Sequence, residues 1–262
     1  MTLSARRISM TPAASPRSAP RAADPERLQR ALAALEQPRP AGDRLAAVIP
    51  LHGGAPTPEL RLRSEPRFCH GELVGRLGQI SGAGALSVAF GVVLDAQRAG
   101  EPTIWISCGD EPFYPPDVAE SGIDLGAVLV VRVKGAADAA RVGDRLLRSG
   151  AFGLLVLDLA ADPRLGAAFA KGGEVVPMPL QARLCKLAQR HEAAVLVVGG
   201  ERGGGRGGVP SSLSSLVSLR AIAQRERLAP RRYACTVQVV KDKRRGPRWQ
   251  QREELRAPAG LR

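Results

Sequence analysis

Ten consecutive residues, Gly78-Gln79-Ile80-Ser81-Gly82-Ala83-Gly84-Ala85-Leu86-Ser87, have the glycine content of a phosphate-binding loop but not its chemistry. In a working GxxxxGK(S/T) loop, backbone N–H groups cradle the phosphates, the lysine neutralises the terminal ones and the hydroxyl holds magnesium. With Gly78 as the first glycine, the lysine place holds Gly84 and the hydroxyl place Ala85. With Gly84 as the second glycine, those places hold Ala85 and Leu86, and Ser87 comes one residue late. Neither frame supplies a lysine. A lost charge-assisted contact to phosphate costs about 1.5–3 kcal/mol in binding, and the loss is larger where charge builds up in a transition state. The expectation is a degenerate nucleotide site made of Gly78, Gly82, Gly84, Ser87 and Asp158, with no catalytic residue, no cofactor and at most weak anion binding by backbone donors. The same composition also suits a strand and a helix that simply pack closely.

Asp158 ends the apolar run 154–157, a position where a carboxylate either holds magnesium or caps the strand. Two further groups of residues are suited to binding a partner or nucleic acid. Arg202 and Arg206 sit in a glycine-rich stretch, 202–208, and Lys241, Lys243, Arg244, Arg245, Arg248 and Trp249 crowd the region near the end of the chain. Aromatic residues make up 3% of the chain, too few for an array of base-stacking platforms. His52, His70 and His191 are scattered and pair with no nucleophile. Cys69, Cys108, Cys185 and Cys235 include no CxxC pair, so neither a zinc cage nor a disulfide framework is expected, and buried reduced thiols are.

The elements that must position these residues follow from the apolar pattern. Continuous apolar runs at 104–106, 128–133, 154–157 and 195–198 predict strands covered on both faces, and 237–240 predicts a fifth. A strand at 73–77 would lead into the glycine turn. Helical periodicity lies between the runs at 85–98, 138–148 and 180–190, the last with Leu180, Leu184 and Leu187 on one face. Strands alternating with helices predict one α/β domain built on an open, mostly parallel sheet with helices on both faces. Ahead of it, residues 1–23 read as a disordered basic tail. Asp24 and Pro25 open a short helix over 24–37, and 38–70 is a connecting segment. The core is assigned to 71–245, followed by a basic tail over 246–262.

The formal charge of +13 is uneven. Residues 1–23 carry four arginines and no acid, residues 220–262 carry 13 bases and 4 acids, and the rest of the 262-residue chain is neutral. Any attraction to a polyanion therefore belongs to the two ends. No run approaches the roughly 18–20 apolar residues of a membrane span, and the first residues lack the apolar core of a secretory signal. A cytoplasmic protein is expected.

Several segments in order resemble RecA recombinase, together covering about 24–250. The helix at 27–36 is similar to the one by which RecA subunits pack on a neighbour. Arg148-Ser149-Gly150-Ala151 followed by Leu154-Leu155-Val156-Leu157-Asp158 resembles the Walker B strand and its lead-in. Thr236-Val237-Gln238-Val239-Val240-Lys241-Asp242-Lys243 resembles the late strand whose two lysines meet the ATP of an adjacent subunit. The departures are as clear. The Walker A lysine is absent, the region of the catalytic glutamate reads Ser107-Cys108-Gly109-Asp110-Glu111, and the mobile DNA-binding loop becomes residues 202–208.

A non-hydrolysing RecA relative of this length, with a basic Gly-Pro-Arg-Trp tail, is most similar to the ImuA family. That resemblance implies an accessory factor in the SOS response and translesion synthesis. Its implied partners are RecA, the polymerase-like ImuB and an error-prone replicative-type polymerase, and its implied location is the nucleoid. Two other readings stand beside it. One is a DNA-dependent ATPase or recombinase with an aberrant loop, which nucleotide binding would reveal. The other is a DNA-binding module that uses its basic ends, which salt-dependent DNA binding would reveal.

Overall fold

The structure, a computed structural model, describes residues 66–109, 118, 121–160, 162, 175–199, 213 and 215–256. The expected basic tail 1–23, the helix 24–37, most of the connecting segment, Asp110, Glu111, Arg202 and Arg206 lie outside these residues. In chain order the elements are α1 His70–Leu73, β1 Leu77–Ser81, α2 Ala85–Arg98, β2 Thr103–Cys108, β3 Val128–Val133, α3 Ala136–Leu147, β4 Leu154–Asp158, α4 Met178–Arg190, β5 Ala194–Val198, β6 Leu219–Ala229, β7 Arg232–Asp242 and β8 Gln250–Arg256. They form one eight-stranded sheet in the order β3-β2-β4-β5-β1-β6-β7-β8. The first six strands are parallel, while β7 and β8 join antiparallel. Among the described residues no helix is long and apolar enough to cross a membrane.

Strand alternation divides the core into two layers. Leu77, Ile104, Ile106, Leu155, Leu157, Val195 and Val197 pack under α3 and α4. Ile80, Trp105, Leu154, Val156, Leu196 and Val198 pack under α2, which buries Ala85, Ala89, Val92, Val93 and Ala96 as a helical stripe. Phe90 stacks on Trp105 with ring centroids 4.8 Å apart. At the start of α3 Gly135 offers no side-chain cap, and Asp162 does so from a distance: its Oδ2 accepts from the Ala136 N–H at 2.9 Å.

The structure departs from the sequence pattern at four places. Residues 73–77 are not a strand: α1 ends at Leu73, a turn through Gly75 (φ 69°) follows, and β1 begins at Leu77. Gly78 therefore lies inside the sheet between β5 and β6, where Leu73 fills the space its missing side chain leaves. Of the four apolar runs, β3 is not covered on both faces, because it is the sheet's edge, and Val130 is 37% exposed. The core does not stop at 245. Residues 250–256, assigned to a tail, are the edge strand β8, and 219–229 form a further strand, β6. Buried reduced thiols hold for Cys108 and Cys235, whereas Cys69 and Cys185 are half-exposed.

A polar cluster ties the two halves of this sheet together. Arg76 and Asp242 form a buried ion pair at 2.6 Å, with side-chain exposures of 2% and 0%. Arg76 also donates to Ser218 Oγ at 2.9 Å, to Ser218 O at 2.9 Å and to Glu72 O at 3.1 Å. Asp242 accepts in addition from the Arg244 N–H at 2.9 Å and from Trp249 Nε1 at 3.2 Å. Burial alone would raise the Asp242 carboxyl, but the hydrogen bonds from Arg244, Arg76 and Trp249 outweigh it and hold the group below the ordinary carboxylate value.

β6 and β7 are eleven residues each, twice the length of β1. Pairing of β6 with β1 ends at Ser81↔Ile222, whereas pairing of β6 with β7 continues to Ala229↔Arg232. β8 follows β7 out as far as Arg256↔Arg232. The distal halves of these three strands thus form an arm that projects past the C-terminal ends of the parallel strands.

Candidate functional site

The turn between β1 and α2 is three residues long: Gly82, Ala83 and Gly84. Gly82 has φ 101°, and a Cβ there would lie 2.4 Å from the Ala223 carbonyl oxygen of β6. A Cβ on Gly84 would lie 2.8 Å from Cys235 Sγ and 3.2 Å from Ala223 Cβ. The Gly84 N–H donates to Ala223 O at 3.0 Å, and the Ala85 N–H to Gly82 O at 3.0 Å. A phosphate cradle needs a loop that stands off from the sheet with its N–H groups turned into the hollow. Here the turn lies against β6, and one of its three N–H groups, that of Gly84, is already engaged. The side-chain direction of Gly84 runs into Cys235 and Ala223, and Ala85 is 2% exposed. Ser87, in the first turn of α2, faces a narrow crevice shared with Phe68, Cys235, Gln251 and Leu255.

Asp158 ends β4 beside Ser107 of β2 and Val198 of β5. Its Oδ1 accepts from the Ala160 N–H at 3.2 Å, the short-range bond of a strand cap. Ser107 Oγ is buried with no hydrogen-bond partner among the described residues. Next to it the Cys108 thiol is pushed up to about 12, by burial first and then by Asp162, Asp158 and Asp138, so it stays protonated and unreactive.

The candidate contact residues separate into two groups. Arg244 donates to Val74 O at 2.9 Å, Arg245 pairs with Glu72, and Trp249 packs on the core while holding Asp242. These three serve the fold. Arg248 is exposed with φ 79°. Lys241 and Lys243 lie at the end of β7 on the α4 side, where Lys243 is near enough to draw the Cys185 thiol down against the larger effect of burial. Arg220, not singled out from the sequence, completes a cationic triplet with them. Its guanidinium donates to Gln79 Oε1 at 3.0 Å and Leu213 O at 3.3 Å, and burial lowers its pKa. Lys241 donates to Ser215 O at 3.0 Å, and burial, Lys243 and Arg220 all push its pKa down. The signal for Arg220 was the alternation Leu219-Arg220-Ala221-Ile222-Ala223, a half-buried strand that the search for continuous apolar runs passes over.

Far from the turn, a cavity of about 610 Å³ opens at the N-terminal ends of the parallel strands. His70 and His191 both line it against the 150–153 loop, with His70 Nε2 3.2 Å from Gly153 O.

No protein-family model matches the chain. Over 128 residues, 47% of its length, it is 36% identical to the protein RecA of Nocardioides sp. and 35% identical to that of Mycolicibacterium vanbaalenii. The chain spans about a third of the length of these curated relatives, 35% in both cases. The crystal structure of the RadB recombinase superposes with a TM-score of 0.50 at 13% identity, covering 69% of this chain and 87% of that one. The chain is thus similar in sequence to RecA over just under half its length, and its α/β fold is that of the RadB recombinase.

Proposed function

We propose that this chain is a non-hydrolysing RecA-like accessory factor of the ImuA type. It serves DNA-damage-induced mutagenesis in the cytoplasm, at the nucleoid, by docking on RecA or on an ImuB-type polymerase-like subunit that works with an error-prone replicative-type polymerase. The observation that carries this reading is the closed turn. Gly84 gives its N–H to Ala223 and its side-chain direction runs into Cys235, so a phosphate or a lysine at this position would compete with contacts already made. The asymmetry of the molecule supports the docking role. Lys241 and Lys243 remain at the end of β7, while the turn they would complement across an interface is shut. A subunit with one working face of a heterologous interface adds once and does not propagate.

Purified protein is expected to show no ATPase above background, and Gly84→Lys is expected to lower stability without creating activity. A turnover near about 1 per second, abolished by Asp158→Ala, would overturn the non-hydrolysing reading and favour a DNA-dependent ATPase. The docking role is checked by following RecA filament growth on single-stranded DNA. Wild-type chain should shorten filaments, and Lys241→Ala/Lys243→Ala should lose most of that effect. Equal shortening by the double variant would remove the lysines from the mechanism, and no effect of wild type would remove RecA as the partner.

A further inference from the structure

The cavity of about 610 Å³ lies at the end of the sheet where the helices finish. Ala99, Gly150 and His191, which line it, come just beyond the last turns of α2, α3 and α4, so three helix C-termini, each with a partial negative charge, converge on it. Glu101, Glu192 and His70 line it too. In a chain with 38 basic and 25 acidic side chains, none of its described lining residues is a lysine or an arginine. Arg148, at the end of α3, is held by Asp144 at 3.0 Å. The acidic side chains stand here against local preference. Glu192 has φ 51°, the left-handed position after a helix where glycine is favoured, and its charge meets the unfavourable end of the α4 dipole. Glu101 lies across Gly153, where an added Cβ would come 2.4 Å from its Oε2 and 2.6 Å from its own Cβ. His191 lies in the same way across Gly150, where an added Cβ would meet its Nδ1 at 2.8 Å. These two glycines make room for a carboxylate and an imidazole. His70 is 6% exposed, and its Nε2, 3.2 Å from Gly153 O, must donate to that carbonyl. In the neutral ring Nδ1 is then an acceptor, and no described residue engages it by a hydrogen bond.

We propose that this cavity binds a linear aliphatic diamine or triamine. Its lining offers acceptors and negative charge at Glu101, Glu192 and His70 Nδ1, with apolar surface from Val74 and Phe152 among them. That is the complement of a chain of methylenes ending in ammonium groups. An ammonium donates in three directions, which suits acceptors spread around a hollow, whereas a guanidinium donates in one plane. The volume falls in the range of small-molecule sites, about 300–1,000 Å³. A metal ion is not suited, because among the described residues no three His, Cys, Asp or Glu side chains are placed to share one. The cavity and the glycine turn lie at opposite ends of the parallel strands, so the proposal is independent of whether that turn binds nucleotide.

The test is isothermal titration calorimetry of the full chain, freed of nucleic acid, with spermidine, putrescine and butylamine at low salt. Spermidine and putrescine should bind and raise the melting temperature. Butylamine, with a single ammonium group, should bind about tenfold more weakly than putrescine, the worth of one charge-assisted contact. Glu101→Gln/Glu192→Gln should weaken spermidine binding by about tenfold or more. Glu226→Gln/Glu254→Gln removes the same charge from exposed ion pairs on the arm and should change affinity less than about twofold. Ala151→Leu fills part of the cavity without changing charge and should weaken binding while the ligand-free protein melts close to wild type. Absence of spermidine binding by wild type, equal weakening by the two glutamate pairs, or undiminished binding by Ala151→Leu would each overturn the proposal. Tighter binding of an arginine-rich peptide than of spermidine would also overturn it, and would assign the cavity to a basic side chain of a protein partner.

Discussion

Arg76→Ala should destabilise the protein by about 3–5 kcal/mol, the cost of leaving one member of a buried ion pair without its partner. The reason lies in what surrounds Asp242. Its side chain is fully buried, and the Arg244 N–H and Trp249 Nε1 remain after the substitution, but the one compensating charge is gone. Arg76 also closes the segment before β1 onto Ser218, so its loss frees both the entrance to the central strand and the start of β6. Urea denaturation should show a lower midpoint at an unchanged slope. Arg141→Ala, which removes the exposed pair with Asp138, should cost less than about 1 kcal/mol and serves as the comparison.

The pair also fixes the acid limb of stability. Asp242 has a depressed folded-state pKa, so its contribution is whole above the unfolded carboxylate value of about 3.9 and is lost as pH falls through the folded value. In Asp242→Asn that part of the acid dependence should be missing. A loss below about 1 kcal/mol for Arg76→Ala would mean that water reaches the pair.

Gly82→Val should cost roughly 3 kcal/mol or more, from backbone strain of about 1–3 kcal/mol at a left-handed position and a comparable cost of overpacking. Gly82 has φ 101°, and the added Cβ would sit 2.4 Å from the Ala223 carbonyl oxygen, a backbone atom that cannot rotate away. The substitution also separates two explanations of the glycines. If they served to bring a phosphate close, replacing one would harm ligand binding and leave the ligand-free fold nearly intact. If they serve to let α2 start directly against β6, the ligand-free protein itself should melt at lower temperature. A melting temperature for Gly82→Val within a degree or two of wild type would contradict the packing described for this turn.

How much of this could be read in the sequence depended on what each segment faces. β2, β4 and β5 are buried on both sides, and the requirement for apolar residues at every position makes them legible as runs. α2 was legible to the residue because Gly84 precedes it and Gly100 follows its last turn. β8 was not. Its sequence, Gln-Gln-Arg-Glu-Glu-Leu-Arg, belongs to an edge strand with no apolar run, and six polar residues with a single leucine do not distinguish that from a tail. The glycine turn shows a different limit. Missing lysine was plain from residue types, but that the turn is only three residues long and bonded to Ala223 depends on where β1 ends, and Gly78 had been counted in the loop. For Trp249, an aromatic among arginines suggested an exposed contact, whereas its indole N–H answers a buried carboxylate seven residues earlier in the chain.

Ala223 stands where the arm leaves the sheet, and its carbonyl is the group that holds Gly84. Its backbone is therefore common to two things that look separate, the root of the arm and the first turn of a helix whose apolar stripe is seated on the middle of the sheet. The start of α2 meets the arm through that hydrogen bond, through Gly84 against Cys235 of β7, and across the crevice that Ser87 shares with Gln251 and Leu255 of β8, so a sideways load on the arm is met by α2 at several points. The arm behaves as a braced spar, stiff at its root, and not as a flap that swings on a hinge.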